Sequence, residues 1–443
     1  MSATASVIKR PPAAIGGPLT IGGIIVIALP ILLFGMAFVN QSGAMTLSQA
    51  SSAFLLFAML IAIMLTGMPI SIAIGVTVLV FVLAMTDLPL NAVALKLFKG
   101  IEKWEIMAIP FFILAGNFLT HGGIAKRMID FAASLIGHFH GGLALTGVVS
   151  CAMFALVCGS SVATVVAIGS IILPEMVKAG YPMRFGAAVI TVAGSLGILM
   201  LPSIPKVIYA ISTNTSIGTL FVAGVLPGTL LTLMLCVVTW YISRKNNYPR
   251  QQKLSWGQSL RAFRESFWGL MLIVIIIGGI YSGIFTATEA AAMSAVYAFF
   301  IAVFVYKATR MRDVPAVLVR SANMSAMLLY IIGNASLFQY VLTYMNVPNE
   351  LSEWMIGLNL GPVGFLLVVN LMLLIAGNFM DPSSIILIMA PILAPTATKL
   401  GIDLVHFGIL IDVNMEVGLC HPPVGLYLYV ASSIAGLGIT ELT

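Results

Sequence analysis

Lys206 stands inside AGSLGILMLPSIPKVIYA, residues 193–210, an apolar stretch interrupted by Gly194, Gly197 and the tetrad Pro202-Ser203-Ile204-Pro205. An ammonium group within a membrane-spanning segment is costly unless paired or hydrated. Either it supplies positive charge for a solute carboxylate, or it snorkels to an interface or pairs with an acid. Asp412 and Glu416, four residues apart in FGILIDVNMEVGLCHPPVG, share one helix face just before a second Gly- and Pro-rich interruption. Such carboxylates offset a basic residue, tune a cation site or carry a proton. Ser160 and Ser161 in CGSS, and Asp381 and Ser383 in NFMDPSS, place hydroxyls and one carboxylate at two polar tips between apolar runs. Oxygen donors without His or Cys clusters suit a hard cation rather than a transition metal.

The interruptions have a physical meaning of their own. Proline removes an amide donor and breaks the helical ladder. In hydrocarbon each unpaired backbone group costs several kcal/mol, so unwound peptide needs protein, water or an ion as partner. GILMLPSIP and VGLCHPPVG therefore free carbonyl oxygens for a cation. The half-helices restarting after Pro202 and Pro423 direct positive dipole ends at an anion. A packing kink accounts for one break alone; two, in corresponding places of two halves, speak for a binding function. Asn214 and Thr215 in STNTSIG either touch the solute or form a polar helix end. His421 either senses pH or fills a hydrogen-bonding gap. Glu289 in TATEAAAMSA is expected to cap its own helix.

These residues sit in a chain of 443 that is 60% apolar and only 8% charged. Soluble domains carry about 25% charged residues, so lipid must shield most of this one. The net charge of +6 is too small for a nucleic-acid footprint. Cys151, Cys158, Cys236 and Cys420 have no CxxC spacing and indicate neither metal nor disulfide chemistry. The first apolar run, 19–39, follows Lys9 and Arg10, exceeds a signal-peptide core and is read as a retained span. Two short stretches hold ten of the 21 basic residues: Arg244 to Arg264, and Lys307 to Arg320. Both are expected to face the cytoplasm, with runs 267–283 and 289–306 crossing out and back between them. LSWGQSLRAFRESFW, containing Trp256, reads as an amphipathic surface helix.

The basic stretch also divides two similar halves. Pro174, Lys178 and Gly180 match Pro395, Lys399 and Gly401 at an offset of 221, which also pairs Gly197 with Gly418 and Pro202 with Pro423. Each half holds a pair of apolar arms meeting at a polar tip: 142–158 with 162–177, and 363–379 with 384–398. Arms this short are either full spans or re-entrant hairpins. The loop VKAGYPMR carries more positive charge than KLGIDLVHFG, placing the halves in opposite orientations. The division is 1–45, an extra N-terminal segment with one span; 46–243, the first inverted repeat; 244–265, a basic linker; and 266–443, the second inverted repeat.

GSSVATVVAIGSIILPEMVKAGY, AGSLGILMLPSIP, TNTSIGTLFVAGVLPG, TATEAAAMSAVYA and FGILIDVNMEVGLCHPPVGLYLYVASSIAG resemble the large membrane subunit of TRAP (tripartite ATP-independent periplasmic) transporters, from about Leu47 to the C-terminus. NMEVGLCHPPVGLYLYV looks most like the C4-dicarboxylate branch. The resemblance implies an all-α polytopic membrane protein with two inverted-topology repeats. Each has a re-entrant helical hairpin and a discontinuous helix, and together they form an elevator-type transport domain within a scaffold. It implies sodium as coupling ion, with no organic cofactor. A first site falls at Gly159, Ser160, Ser161, Gly197 and Pro202, and a second at Asp381, Ser383, Gly418, Pro422 and Pro423. The implied partners are a small four-helix membrane subunit and a periplasmic solute-binding protein. The span at 19–39 precedes the family's usual start, and Lys206 stands where an apolar residue is expected.

The expected function is sodium-coupled uptake of an organic acid across a bacterial inner membrane, with a C4-dicarboxylate such as succinate, malate or fumarate as solute. Sialic, keto or sugar acids are the alternative class. Solute candidates are Ser203, Lys206, Asn214 and Thr215; Asp412 and Glu416 are the candidate coupling carboxylates. A channel would need polar rings about one pore. A hydrolase built on Ser160 and His421 lacks an oxyanion device, and there is no GxxxxGK[ST] loop for nucleotide hydrolysis. The chain is not expected to be an enzyme.

Overall fold

The computed structural model describes residues 21–41, 48–358, 360–378, 380–421 and 425–442, and every regular element among them is helical. Two packed units divide the chain, Met1–Leu88 and Pro89–Thr443. The first contains α1 (Ile21–Gln41), α2 (Gln49–Leu65) and α3 (Ile70–Met85), each packed on the other two. The Ser48 side chain caps α2 by accepting from the Ser51 N–H at 3.2 Å. Ala37, Leu55, Met59 and Ala84 are buried together.

The second unit opens with α4 (Leu90–Ile101), α5 (Ala108–His121) and α6 (Ile124–Ile136). A hairpin follows, α7 (Gly142–Cys158) and α8 (Ser161–Lys178), then α9 (Met183–Gly194), the single turn α10 (Leu196–Leu199) and α11 (Ile204–Thr213). Three long helices come next, α12 (Ile217–Lys245), α13 (Trp256–Tyr281) and α14 (Ala287–Phe300), the last running on as a π-helical turn, Ile301–Val305. After α15 (Val314–Tyr344) and α16 (Val347–Gly357), a second hairpin forms from α17 (Gly361–Gly377) and α18 (Pro382–Lys399). The chain ends with α19 (Leu404–Leu419), α20 (Leu426–Ala435) and α21 (Ile439–Leu442). Among the described residues six helices are long and apolar enough to cross a membrane, or seven if α5 and α6, bent by 68°, count as one.

The element bounds recur with the sequence offset. The second hairpin arms α8 and α18 both begin and end 221 residues apart, and α9 and α19 begin 221 apart. The ten-residue helices α11 and α20 begin 222 apart. The order hairpin, helix, interruption, short helix therefore occurs twice.

One element differs from the sequence expectation. The Trp256 stretch is no separate surface helix; it is the start of α13, 26 residues without a break. No proline falls between Trp256 and Tyr281, so nothing stops propagation once the Ser255–Gln258 capping box has nucleated the first turn. Glu289 caps its own helix as its spacing predicts. Its carboxylate accepts from the Thr286 N–H at 2.8 Å, while Thr286 Oγ1 accepts from the Glu289 N–H at 3.3 Å. Thr286→Ala is expected to cost about 1 kcal/mol. The purified protein should show this as a lower melting midpoint.

Candidate functional site

At the first hairpin the turn is only Gly159–Ser160. Gly159 adopts φ 64°, the left-handed region that favours glycine, and ends α7. Ser160 caps α8, its hydroxyl accepting from the Ala163 N–H at 3.4 Å. The first interruption packs on this tip, backbone against backbone. A Cβ on Gly197 would lie 2.5 Å from Ser161 N, and one on Gly159 would collide with the Pro202 carbonyl oxygen. Gly159, Ser160, Ser161, Gly197 and Pro202 thus come together. The peptide from Met200 to Ser203 is unwound and buried, with α10 ending at the extended Met200 and α11 restarting under the Ser203 cap.

The second hairpin repeats the plan with a carboxylate. Asp381 caps α18: its carboxylate accepts from Ser384 Oγ at 2.5 Å and from the Ser384 N–H at 3.2 Å. Asn378 Oδ1, at the same tip, is buried without a hydrogen-bond partner. Gly418 on α19 crosses Gly377 on α17 so closely that a Cβ would stand 2.8 Å from the Gly377 Cα. Asp381, Ser383 and Gly418 therefore belong to one corner of the fold. Pro422 and Pro423 lie outside the described residues.

Both tips open on one cavity of about 280 Å³. Ser160 and Ser161 line it from the first tip, Asp381 and Ser383 from the second. The first residues of four helices reach it: Ser161 of α8, Ile204 and Pro205 of α11, Pro382 of α18, and Leu426 and Tyr427 of α20. Each helix N-terminus carries unpaired amides and about half a positive charge. Met324, Met327 and Leu328 of α15 supply an apolar wall. Sequence reasoning missed Tyr427 and these methionines. Tyr427 had one local signal, its position directly beyond the second interruption; the methionines, three apart on α15, had none.

Glu416 reaches the first tip from the other half. Its Oε1 accepts from the Ile198 N–H at 3.1 Å and lies 3.3 Å from Ser161 Oγ. The Ser161 hydroxyl is also within donating distance of the Ser195 carbonyl, 3.1 Å. Lys206 turns away from the cavity: Nζ donates to the Leu199 carbonyl at 2.5 Å and lies 3.9 Å from Asp412 Oδ2.

The four solute candidates do not line the cavity. Ser203 is spent on capping α11, 3.5 Å from the Lys206 N–H. Asn214 closes the far end of α11 in a left-handed conformation, and Thr215 bonds Thr213 side chain to side chain at 3.0 Å. His421 fills the end of its own helix, Nδ1 lying 2.7 Å from the Val417 carbonyl.

Comparison with known proteins agrees with this architecture. The chain is 63% identical over 406 residues to the C4-dicarboxylate TRAP transporter large permease protein DctM of Rhodobacter capsulatus, covering 88% of this chain and 92% of that one. It is 52% identical over 347 residues to the protein of the same name from Pseudomonas aeruginosa, covering 78% and 81%. Its fold is similar to the Alcanivorax borkumensis YdaH transporter, whose crystal structure is described as having an unusual topology. That TM-score is 0.60 at 13% identity, over 95% of this chain and 93% of the other. Residues 57–443 match the family described as the tripartite ATP-independent periplasmic transporter, DctM component, and the chain belongs to that family.

Proposed function

We propose that the chain is the large permease of a sodium-coupled uptake system for an organic acid anion in a bacterial inner membrane. The observation that carries this reading is the convergence of four helix N-termini and two polar tips on one cavity. Amide-rich helix ends attract carboxylates without a lysine or arginine in the pocket. Hydroxyls, tip carbonyls and the Asp381 carboxylate suit an alkali cation. The cavity, about 280 Å³, falls just below the roughly 300–1,000 Å³ usual for ligand pockets, which favours a small solute. Together with the names of the two relatives, this supports a C4-dicarboxylate such as succinate, malate or fumarate over sialic, keto or sugar acids.

In the proposed cycle sodium binds first, at Gly159, Ser160, Ser161, Gly197 and Pro202, and at Asp381, Ser383, Gly418, Pro422 and Pro423. Neutralising Asp381, the carboxylate that lines the cavity among the described residues, removes a charge that would repel the diacid and leaves four positive helix ends facing it. Sodium and solute then raise each other's affinity by the same factor. The repeats, 46–243 and 266–443, lie in opposite orientations, so the hairpins enter from opposite faces and stop at the shared cavity. The basic linker 244–265 faces the cytoplasm. An elevator movement of the hairpins and broken helices against a scaffold exposes the cavity alternately. A small four-helix membrane subunit enlarges the scaffold, and a periplasmic solute-binding protein delivers the diacid.

Reconstitution tests this. Proteoliposomes holding the permease and small subunit, supplied with binding protein and labelled succinate, are expected to show saturable uptake that requires an inward sodium gradient. Uptake that persists after the gradient is collapsed overturns sodium coupling. Ion current without saturable uptake overturns the carrier.

A further inference from the structure

Among the described residues of the second unit, one lysine and two carboxylic acids are sealed in the core. Lys206 and Asp412 are 0% and 1% exposed, and Glu416 is 2% exposed. Lys206 enters from α11, just after the first interruption; the two acids enter from α19 in the other half. Leu199 ends α10, and a helix end leaves its last carbonyls without intrahelical donors. The Lys206 ammonium takes up that carbonyl at 2.5 Å and faces Asp412 from the other side at 3.9 Å. Neither oxygen of Asp412 has a hydrogen-bond partner, so the ammonium is its compensation. Gly224 on α12 makes the room, since a Cβ there would collide with Lys206 Nζ.

A main-chain carbonyl and a carboxylate facing one ammonium in a space sealed from water are two oxygens of the kind a hard cation takes as ligands. We propose that the Lys206 ammonium is a resident cation of the transport core, holding between α10 and α19 a position that a sodium ion takes once the side chain is removed. The lysine thereby lowers by one the number of ions the core accepts from solution. It also ties an interruption in one half to a helix of the other without touching the solute cavity. The inference rests on the sodium-coupled reading above.

Equilibrium binding of radioactive sodium to the purified full-length chain in lipid nanodiscs tests it. Lys206→Ala is expected to bind about one more ion per chain than the parent, and Lys206→Ala with Asp412→Asn to return to the parent count. A parent that binds no sodium overturns the coupled reading and this inference with it. A parent that binds sodium, beside a folded Lys206→Ala of unchanged count, overturns the resident cation alone. So does an extra ion retained in the double variant. If Lys206→Ala cannot be recovered folded, Lys206→Met, which keeps the volume of the stem and removes the charge, takes its place. About one more ion per chain than the parent supports the proposal, and an unchanged count overturns it.

Discussion

Gly197→Ala is expected to reduce uptake in the proposed sodium-coupled cycle to less than about a tenth of the parent rate. The added methyl would lie 2.5 Å from Ser161 N, 2.6 Å from the Ser161 Cα and 2.8 Å from the Ser160 carbonyl carbon. All three are backbone atoms of the hairpin turn, so no rotamer change relieves the clash. Overpacking of this kind costs about 1–3 kcal/mol, and about 1.4 kcal/mol is already tenfold. The strain would separate α10 from the tip and carry Ile198 N away from Glu416, so sodium affinity should fall further than diacid affinity. Gly418→Ala, set 2.8 Å from the Gly377 Cα, is expected to act in the same way on the second tip. Gly257→Ala is the control, because nothing lies within 4 Å of its Cβ position. Uptake assays in proteoliposomes check all three. Full activity in Gly197→Ala would mean that turn and interruption need not touch during transport.

Asp381→Asn is expected to raise the sodium concentration for half-maximal uptake about tenfold, the equivalent of about 1.4 kcal/mol, with the maximal rate recovered at high sodium. Asparagine keeps an oxygen to accept from the Ser384 N–H, so the α18 cap survives, while the charge is lost and the contact with Ser384 Oγ reverses to one in which the amide donates. Asp381→Ala removes both and should add about 1 kcal/mol of destabilisation, visible as a lower melting midpoint. The contrast between the two variants separates cation binding from capping. Unaltered sodium dependence in Asp381→Asn would remove the carboxylate from the cation site.

The two halves share a chain plan but not an electrostatic one. Ser160 and Asp381 occupy equivalent positions 221 residues apart, and each caps a second hairpin arm. Ser195 and Glu416 are likewise 221 apart. Both carboxylates therefore come from the second half: Asp381 serves its own tip, and Glu416 crosses to the first, where Ser195 offers only a carbonyl. Each tip ends with one acid near it. The tip whose acid lies at its own turn is the one where substitution should alter sodium affinity most directly.

The sequence by itself determined what is local. The interruptions follow from proline lacking an amide hydrogen, the turn at Gly159 from a backbone that favours glycine, and the caps at Ser160 and Asp381 from side-chain oxygens three residues before open amides. The 221-residue offset, visible in a few glycines and prolines, reappears in the helix bounds because such residues start and stop helices. Only the tertiary structure decided what each freed group meets. The Leu199 carbonyl receives an ammonium from its own chain, and Glu416 bonds Ile198 across 218 positions of sequence. The cavity gathers helix ends from four separate segments and a wall from α15. Spacing constrains neighbours on one helix face. Pairings across two hundred residues are set by which apolar faces bury one another, and no short pattern encodes that choice.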